Sequence, residues 1–233
     1  MQKHILLNAL KAASAIAILL ASTSIVSAHE VDDKDRIEET HDIIGFDKIR
    51  ITGVYELEVQ VGEDFSVFTS GKHKDVEGMK VYRKGKTLVL AQDEDRQDKS
   101  INLNGRKNKN NSGIRAVISL PSLEGVDITG IGSGEIKGID SKDFDIEVAG
   151  ISDMELSGSC GQLDVDMAGL GELRAEDLEC ENVDVDLAGM GEISVYASES
   201  VSADAAGMGS IEVYGNPKDI EKSKSFMASV KIK

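Results

Sequence analysis

Acidic residues at a repeating spacing are the part of this sequence whose side chains could do chemistry. Five stand three residues before a recurring glycine, and three stand five residues before it. These eight residues form what we call the acid column: Asp127, Asp145, Glu147, Asp164, Asp166, Asp184, Asp186 and Asp204. If the segments between the glycines stack, equivalent acids lie about 4.8 Å apart.

Two carboxylates at that distance repel each other by about 3 kcal/mol at an effective dielectric of 20. Such a column therefore needs a physical explanation. Because carboxylate oxygens are the ligands that Ca²⁺ prefers, the column predicts a surface for Ca²⁺ or another hard cation. The alternative is a solvated face that relaxes through side-chain splay and screening by salt.

The two cysteines occupy equivalent places in the same pattern. Cys160 and Cys180 lie 20 residues apart, and each stands four residues before an acid of the column. Stacked segments would bring them close enough for a disulfide. In an oxidising compartment we expect that bond, which for a loop of this size stabilises the fold by about 3 kcal/mol. A free buried pair is the alternative.

Catalytic constellations are missing from the sequence. After residue 28 the histidines are His29, His41 and His73, and none lies among the recurring glycines. No pair of them has zinc-site spacing, and a Ser-His-Asp or Cys-His site has no visible parts. We therefore expect no enzyme, no catalytic residue and no cofactor apart from a bound cation such as Ca²⁺. The enzyme alternative is a polysaccharide lyase, which needs a basic residue beside its acids.

A short glycine phrase positions these residues. It returns as Thr129–Gly132, Ala149–Ser152, Ala168–Gly171, Ala188–Gly191 and Ala206–Gly209, and the leading glycines are 20, 19, 20 and 18 residues apart. A period in this range is typical of a solenoid, in which each coil buries its apolar face against its neighbours. Glycine allows positive φ and close backbone approach, which suits a tight bend stacked on identical bends.

The pattern between the phrases distinguishes strand from helix. In Val183–Ala188 apolar and acidic residues alternate strictly, and Leu163–Ala168 and Phe144–Ala149 do the same. A period of two places one face in the core and the other in water. The sequence therefore predicts an all-β chain, a β-solenoid with coils of about 19–20 residues.

The beginning of the chain has the composition of an export signal. Residues 1–28 are predicted to be a cleaved signal peptide, with Lys3 and Lys11 before a short apolar run and small residues at the cleavage position. We expect the mature protein to be secreted to the periplasm, the outer-membrane surface or the extracellular space. Cleavage would change the formal net charge from −16 to −18, because two lysines and no acids are removed. So acidic a protein repels nucleic acid and anionic membranes and favours cations or basic partners.

The segments before the glycine phrases are less regular. Residues 29–42 are polar and charged, and we predict a flexible segment there. Residues 43–120 favour strands and are expected to form irregular first coils of the same solenoid, with a helical turn only at residues 73–77. Residues 92–113 are rich in charge and asparagine and predict a long exposed loop with a basic tip. A loop that contacts a ligand is the alternative.

Residues 121–233 are predicted to form the regular repeats and a C-terminal cap. A degenerate sixth return at residues 225–230 places Phe226 where the other returns have their leading glycine. A terminal coil has no neighbour on one side, so we expect Phe226 to act as a lid over the core. Four lysines are expected to plug the core and charge the open edge: Lys222, Lys224, Lys231 and Lys233.

Three segments together resemble a known family. They are Phe46–Ile49, Gly53–Val59 and Leu120–Glu124, the last of which leads into the Gly-Ile-Gly and Gly-Met-Gly phrases. In order and spacing they are similar to the secreted bacterial head GIN domain family (DUF2807), described as heads of auto-transporter adhesins. The similarity covers about residues 43–215. It implies a right-handed parallel β-helix and an adhesin-like role, with no catalytic residues.

The sequence thus supports an exported β-solenoid that acts as a binding or structural module, with a cation as a candidate requirement. The ligand would be a cell-surface glycan or protein. Two alternatives stay open at this point: a lyase-like enzyme, and an architectural protein that associates with itself edge to edge.

Overall fold

The computed structural model of the protein describes residues 35–92 and 113–233. In chain order its elements are β1 (Arg36–His41), β2 (Lys48–Val61), β3 (Ser66–Lys72), α1 (His73–Glu77), β4 (Met79–Lys84), β5 (Thr87–Gln92), β6 (Ile114–Leu120), β7 (Gly125–Gly207), β8 (Ser210–Tyr214), β9 (Asp219–Lys224) and β10 (Ser229–Ile232). The prediction of an all-β chain is confirmed for this part. The predicted signal peptide and almost all of the predicted loop lie outside the described residues.

The alternating pattern produces the long strand β7, which extends over 83 residues. Along it the apolar side chains Val183, Val185 and Leu187 are at most 2% exposed. Asp184 and Asp186, which lie between them, are exposed. One side of the strand therefore faces an apolar core and the other faces water, as a period of two requires.

Ten strands form one mixed sheet, whose main path runs β1-β3-β6-β2-β7-β8-β10. Strand β2 pairs in parallel with β5, β6 and β7, and β7 pairs in parallel with β8 and β9. The register of β2 on β7 places Gly53 opposite Gly130 and Val54 opposite Ile131. Strand β2 therefore carries a further glycine phrase, which the sequence period alone did not reveal.

The part before β7 departs from a simple succession of coils. Strand β3 is antiparallel to both β1 and β6, and β4 is antiparallel to β5. The β4–β5 pair is a hairpin, since Lys84 stands opposite Thr87 and Gly85 has a φ of +65° in the two-residue loop between them. A loop that short forces reversal of the chain. These antiparallel pairs are irregularities of the N-terminal part, whose place in the solenoid stays a prediction.

Residues 36–41 are also more ordered than predicted. The sequence places them in a flexible segment, but they form β1, which pairs with β3 from Arg36 opposite Lys72 to His41 opposite Val67. The helical turn predicted at residues 73–77 is confirmed as α1. In the described part of the chain, no helix is long and apolar enough to cross a membrane.

Successive glycine phrases lie directly against one another. A Cβ atom added to Gly130 would lie 2.0 Å from the carbonyl oxygen of Gly53, and one added to Gly169 would lie 1.9 Å from that of Gly150. The same clash, at 2.0–2.1 Å from the preceding phrase, is found at Gly150, Gly189 and Gly207. The backbone of these residues also has positive φ, from +136° to +159°. Both features exclude a side chain.

Tyr55 explains why one phrase ends in serine. Tyr55 stands opposite Gly132, and a Cβ atom added to Gly132 would lie 2.8 Å from its ring. The ring passes over this glycine, and its hydroxyl lies 2.5 Å from the Oγ atom of Ser152 in the next phrase. Both side chains are buried. The missing side chain at position 132 therefore makes room for a buried hydrogen bond that spans three phrases.

The C-terminal end is charged but has no aromatic lid. Lys222 and Lys224 on β9 are exposed and stand opposite the buried Ala203 and Ala205. Phe226 is fully exposed, so the prediction that it covers the core is wrong. The reason is its register, because the pairing of β10 with β8 places Phe226 level with Gly207 at the bend rather than over the core.

Candidate functional site

The acid column begins beside two basic residues of β2. Arg50 stands opposite Asp127 and donates its Nε–H to Asp127 Oδ2 at 2.8 Å. Lys48 donates from Nζ to Asp145 Oδ1 at 2.7 Å. Asp127 is the first acid that stands three residues before a leading glycine, and Asp145 is the first that stands five residues before one. Each is therefore neutralised by a cation from β2. The sequence analysis did not identify either basic residue.

Gly125 leaves the space in which the second ion pair forms. It stands opposite Lys48, and a Cβ atom added to it would lie 2.3 Å from the Asp145 carboxylate. The hydrogen bond to Asp145 raises the pKa of Lys48, so the amine stays protonated. A sequence signal for this contact existed, because Lys48–Gly53 and Gly125–Gly130 share the ending Ile-Thr-Gly and align residue for residue.

Farther along β7 the column is crowded with like charge. The pKa of Asp186 is raised, first by partial desolvation and then by the nearby carboxylates of Asp184, Asp166 and Asp204. The structure therefore brings these four predicted residues together. The three neighbouring carboxylates disfavour the charged form of Asp186, as is expected where like charges stack.

The eight acids form a line along β7 rather than a cage. Asp127 and Asp145 are half-buried beside their basic partners, and the other six are exposed. Within residues 35–92 and 113–233, no three His, Cys, Asp or Glu side chains converge in a way that could hold a metal ion. A cation on this surface would have to be shared between neighbouring carboxylates, and the predicted Ca²⁺ surface stays a prediction.

The basic residues of the repeats engage other acids. Arg174 contacts Glu172 at 2.7 Å and Glu155 at 3.5 Å, and Lys137 contacts Glu135 at 2.7 Å. These acids follow the glycine phrases, whereas the column precedes them. The repeats themselves therefore place Arg174 and Lys137 away from the position that lyase chemistry would require, beside the column.

Cys160 and Cys180 are joined by a disulfide, with their Cα atoms 4.5 Å apart. These are the two residues for which the sequence predicts such a bond. Both side chains are buried, at 8% and 2% exposure. The bond joins two segments of β7 that lie one return of the glycine phrase apart, which we call neighbouring passes of β7, inside the core.

A row of exposed apolar side chains is the feature that the sequence analysis missed. Each lies between the two small residues of a phrase or level with that position, and each is 37–65% exposed. We call this set the corner row: Val54, Ile131, Ile151, Leu170, Met190, Met208 and Met227. It contains seven of the eleven large apolar side chains that the described residues expose. The signal was the phrase itself, because a residue between two glycines has no flanking side chain to cover it.

Part of the corner row lines a shallow groove with acidic walls. The groove is formed by Met190 and Met208 together with Gly171, Glu172, Gly191, Glu192, Gly209 and Ser210. Apolar side chains and carboxylates thus meet on one surface. Its chemistry suits the binding of a ligand that is both apolar and cationic.

Comparison with known proteins places the fold and the family. A family model described as "Putative auto-transporter adhesin, head GIN domain" matches residues 45–217. A crystal structure of a putative adhesin from Bacteroides fragilis is 23% identical with a TM-score of 0.63. A putative lipid binding protein and a putative adhesin, both from Parabacteroides distasonis, are 19% and 12% identical with TM-scores of 0.51 and 0.50.

In each case the alignment covers 86% of this chain and 98% of the solved chain. At these sequence identities the structural similarity supports a shared fold. The names of those proteins do not say what this protein binds. No curated protein matches the sequence. The family model spans most of the described residues, including β2, β6, β7 and β8. The chain therefore belongs to the DUF2807 family, described as "Putative auto-transporter adhesin, head GIN domain".

Proposed function

We propose that this protein is an exported, adhesin-like binding module without catalytic activity, and that its ligand is a cell-surface glycan or protein. One observation supports this most strongly. The same exposed residue types recur at each stacked phrase, so the acid column and the corner row offer a ligand a long surface of repeated contacts. Membership of an adhesin-like family agrees with that role.

The architecture that we propose for this module is a right-handed parallel β-helix. Residues 121–233 would form its regular coils and cap, and residues 43–120 would form its irregular N-terminal part. In-register parallel pairing of β2, β7, β8 and β10 supports this arrangement. So does the contact of each leading glycine with the glycine one return earlier.

We also propose that the protein acts outside the cytoplasm and that Ca²⁺ or another hard cation strengthens its binding. The predicted signal peptide at residues 1–28 supports export, and the disulfide is of the kind that persists in oxidising compartments. The crowded carboxylates around Asp186 support a cation, because a bound cation would relieve their repulsion.

The lyase alternative has weaker support. Within residues 35–92 and 113–233 the basic side chains bonded to the start of the column are Arg50 and Lys48, and each is bound to an acid. A proton-abstracting lysine needs a lowered pKa, whereas the hydrogen bond to Asp145 raises the pKa of Lys48. The arrangement of these groups is that of an ion-paired surface.

A binding experiment on intact cells tests the proposed function. Fluorescently labelled protein is titrated onto cultured epithelial cells and onto bacterial cells, with Ca²⁺ or with a chelator. A column variant, Asp164→Asn/Asp166→Asn/Asp184→Asn/Asp186→Asn, is compared with an off-column variant of the same charge change, Asp140→Asn/Asp177→Asn/Glu179→Gln/Glu181→Gln.

We expect saturable binding by the wild type and the off-column variant, and weaker binding by the column variant. Absence of saturable binding to both cell types would contradict the adhesin-like function. Depolymerisation of a uronic-acid polymer by the purified protein would favour the lyase instead. A mass that grows with concentration, without cell binding, would favour the architectural alternative.

A further inference from the structure

The corner row is an exception to the rule that builds the rest of the fold. Along β7 apolar residues are buried and polar residues are exposed, yet this one apolar position faces water at every phrase. Met190 and Met208 are each 50% exposed. Exposed apolar side chains scattered singly need no explanation, but a continuous row of seven marks a surface for binding.

Small residues keep the row accessible. In the five phrases between residues 129 and 209 the positions on either side of the row residue are glycines or, in one phrase, the buried Ser152, whereas Val54 is followed by the buried Tyr55 and Met227 lies between Phe226 and Ala228. The residue before the leading glycine is alanine in four of the five phrases of β7. In these five phrases no flanking side chain is therefore long enough to cover the row. Seven side chains about 4.8 Å apart extend over roughly 29 Å.

Acids flank the row on both sides. The acid column precedes the phrases, and Asp153, Glu172 and Glu192 stand two residues after their row members. Glu172, which also contacts Arg174 at 2.7 Å, and Glu192 share the groove with Met190 and Met208. A ligand that lies along the row would thus meet apolar side chains at its centre and carboxylates along its edges.

This charge pattern indicates which class of ligand can bind along the corner row. A second copy of the chain would bring its own acid column against this one, and with a formal net charge of −16 the two copies repel. An anionic membrane is disfavoured for the same reason. The complementary ligand has an apolar stripe with Lys or Arg on both sides of it, which is the pattern of a basic amphipathic helix.

We propose that the corner row is the docking groove for a cationic amphipathic helix of a partner protein, and that its flanking lysines and arginines pair with the acids on either side. A helix about 19 residues long spans the roughly 29 Å of the row. Met190 and Met208 suit this task because methionine adapts its shape to different apolar partners. This inference rests on the proposed binding function and names the class of partner.

The test uses the purified full chain and a synthetic helix of 18 leucines and lysines, with leucine at positions i, i+3, i+4 and i+7. Two control peptides are a scrambled sequence of the same composition and a version with glutamate in place of lysine. Binding is measured by fluorescence anisotropy. The row variant Met190→Ser/Met208→Ser is compared with Ile44→Ser/Ile220→Ser, which removes two exposed apolar side chains outside the row.

We expect the amphipathic basic peptide to bind, and the row variant to weaken its binding by at least about tenfold, as loss of central apolar contacts does at interfaces. The Ile44→Ser/Ile220→Ser variant should bind like the wild type. Equal binding of the scrambled peptide would overturn the inference, because attraction by net charge alone would then explain the affinity.

If the row variant bound the basic amphipathic peptide as tightly as the wild type does, that result would overturn the inference as well. So would a stable dimer of the wild type that the row variant abolishes, since the occupant would then be a second copy. Cell binding and peptide binding are separate readouts. Cell binding without peptide binding would therefore overturn this inference and leave the proposed function standing.

Discussion

The carboxylate of Asp186 lies near other negatively charged carboxylates, whereas the carboxylate of Glu212 lies near positively charged lysines. The pKa of Asp186 lies above its ordinary value of 3.8, because the side chain is partly desolvated and faces Asp184, Asp166 and Asp204. The pKa of Glu212 lies below its ordinary value of 4.5, chiefly because Lys233 donates a hydrogen bond to it. The two residues should therefore affect stability with opposite signs.

For Asp186 the folded state binds its proton more tightly than the unfolded state. The free energy of unfolding thus decreases as pH rises from the ordinary pKa through the raised one. For Glu212 the folded state binds the proton less tightly. Its stabilising effect is present above pH 4.5 and is lost as pH falls through the lowered pKa.

We predict that Asp186→Asn raises the midpoint of thermal unfolding at pH 7 and that Glu212→Gln lowers it. Each difference should shrink as pH falls through the folded-state and unfolded-state pKa values of its carboxyl group, because the group is then protonated in both states. Melting curves of the three proteins between about pH 3 and pH 7 measure this. If both substitutions shifted the unfolding midpoint in the same direction at pH 7, the neighbours assigned to Asp186 and Glu212 would be wrong for at least one of them.

The hydrogen bond between Tyr55 and Ser152 is a second test at this scale. Tyr55→Phe or Ser152→Ala leaves one buried hydroxyl group without its partner, and each should cost about 1–3 kcal/mol. The double variant should cost less than the sum, with a coupling of about 1 kcal/mol, because it leaves no orphaned hydroxyl. Denaturant unfolding of the four proteins measures the coupling. Additive effects would show that the hydroxyls do not interact.

At the scale of elements, the glycine phrases are predicted to tolerate no side chain. Gly169→Ala would place a Cβ atom 1.9 Å from the carbonyl oxygen of Gly150. We expect a loss of about 3 kcal/mol or more, because the backbone must shift. The control is Gly85→Ala, where φ is also positive but nothing lies within 4 Å, and its cost should be about 1 kcal/mol. Equal losses would show that the phrases do not stack closely.

The disulfide between two neighbouring passes of β7 should stabilise the protein by restricting the conformations of the unfolded chain. We predict that Cys160→Ala/Cys180→Ala lowers the free energy of unfolding by about 3 kcal/mol, as expected for a loop of about 20 residues. A reducing agent should lower the unfolding midpoint of the wild type and leave that of the variant unchanged. A wild type whose midpoint does not respond to reduction would indicate that the bond does not form.

Local patterns sufficed to predict some elements and not others. Alternation and the glycine period predicted β7 because each pass buries the same positions. The antiparallel β1 could not be predicted in this way, since four of its six residues are exposed and it is held by backbone pairing to β3. The sequence predicted the acids of the column, but it did not show that Arg50 and Lys48 would lie beside them. That contact depends on the register of β2 on β7.

At the scale of the whole molecule, parallel stacking turns a short motif into a surface. Any residue type fixed in the phrase is repeated along β7 at the spacing of neighbouring strands. Acids in the repeat become the acid column, and one apolar residue between glycines becomes the corner row. The repeat thus builds the core and the proposed binding surface together, an arrangement that suits binding of an extended ligand.

We propose that the acid column binds a ligand, with Ca²⁺ as the first candidate. The most direct test is thermal unfolding with and without millimolar Ca²⁺, for the wild type and for Asp166→Asn/Asp186→Asn. A ligand at about ten times its dissociation constant stabilises by about 1.4 kcal/mol, so we predict that Ca²⁺ raises the wild-type midpoint by about 3–6 °C. The variant should show no such rise. A wild type that ignores Ca²⁺, beside a variant that is more stable under both conditions, would contradict the claim and identify the column as a solvated, repelling face.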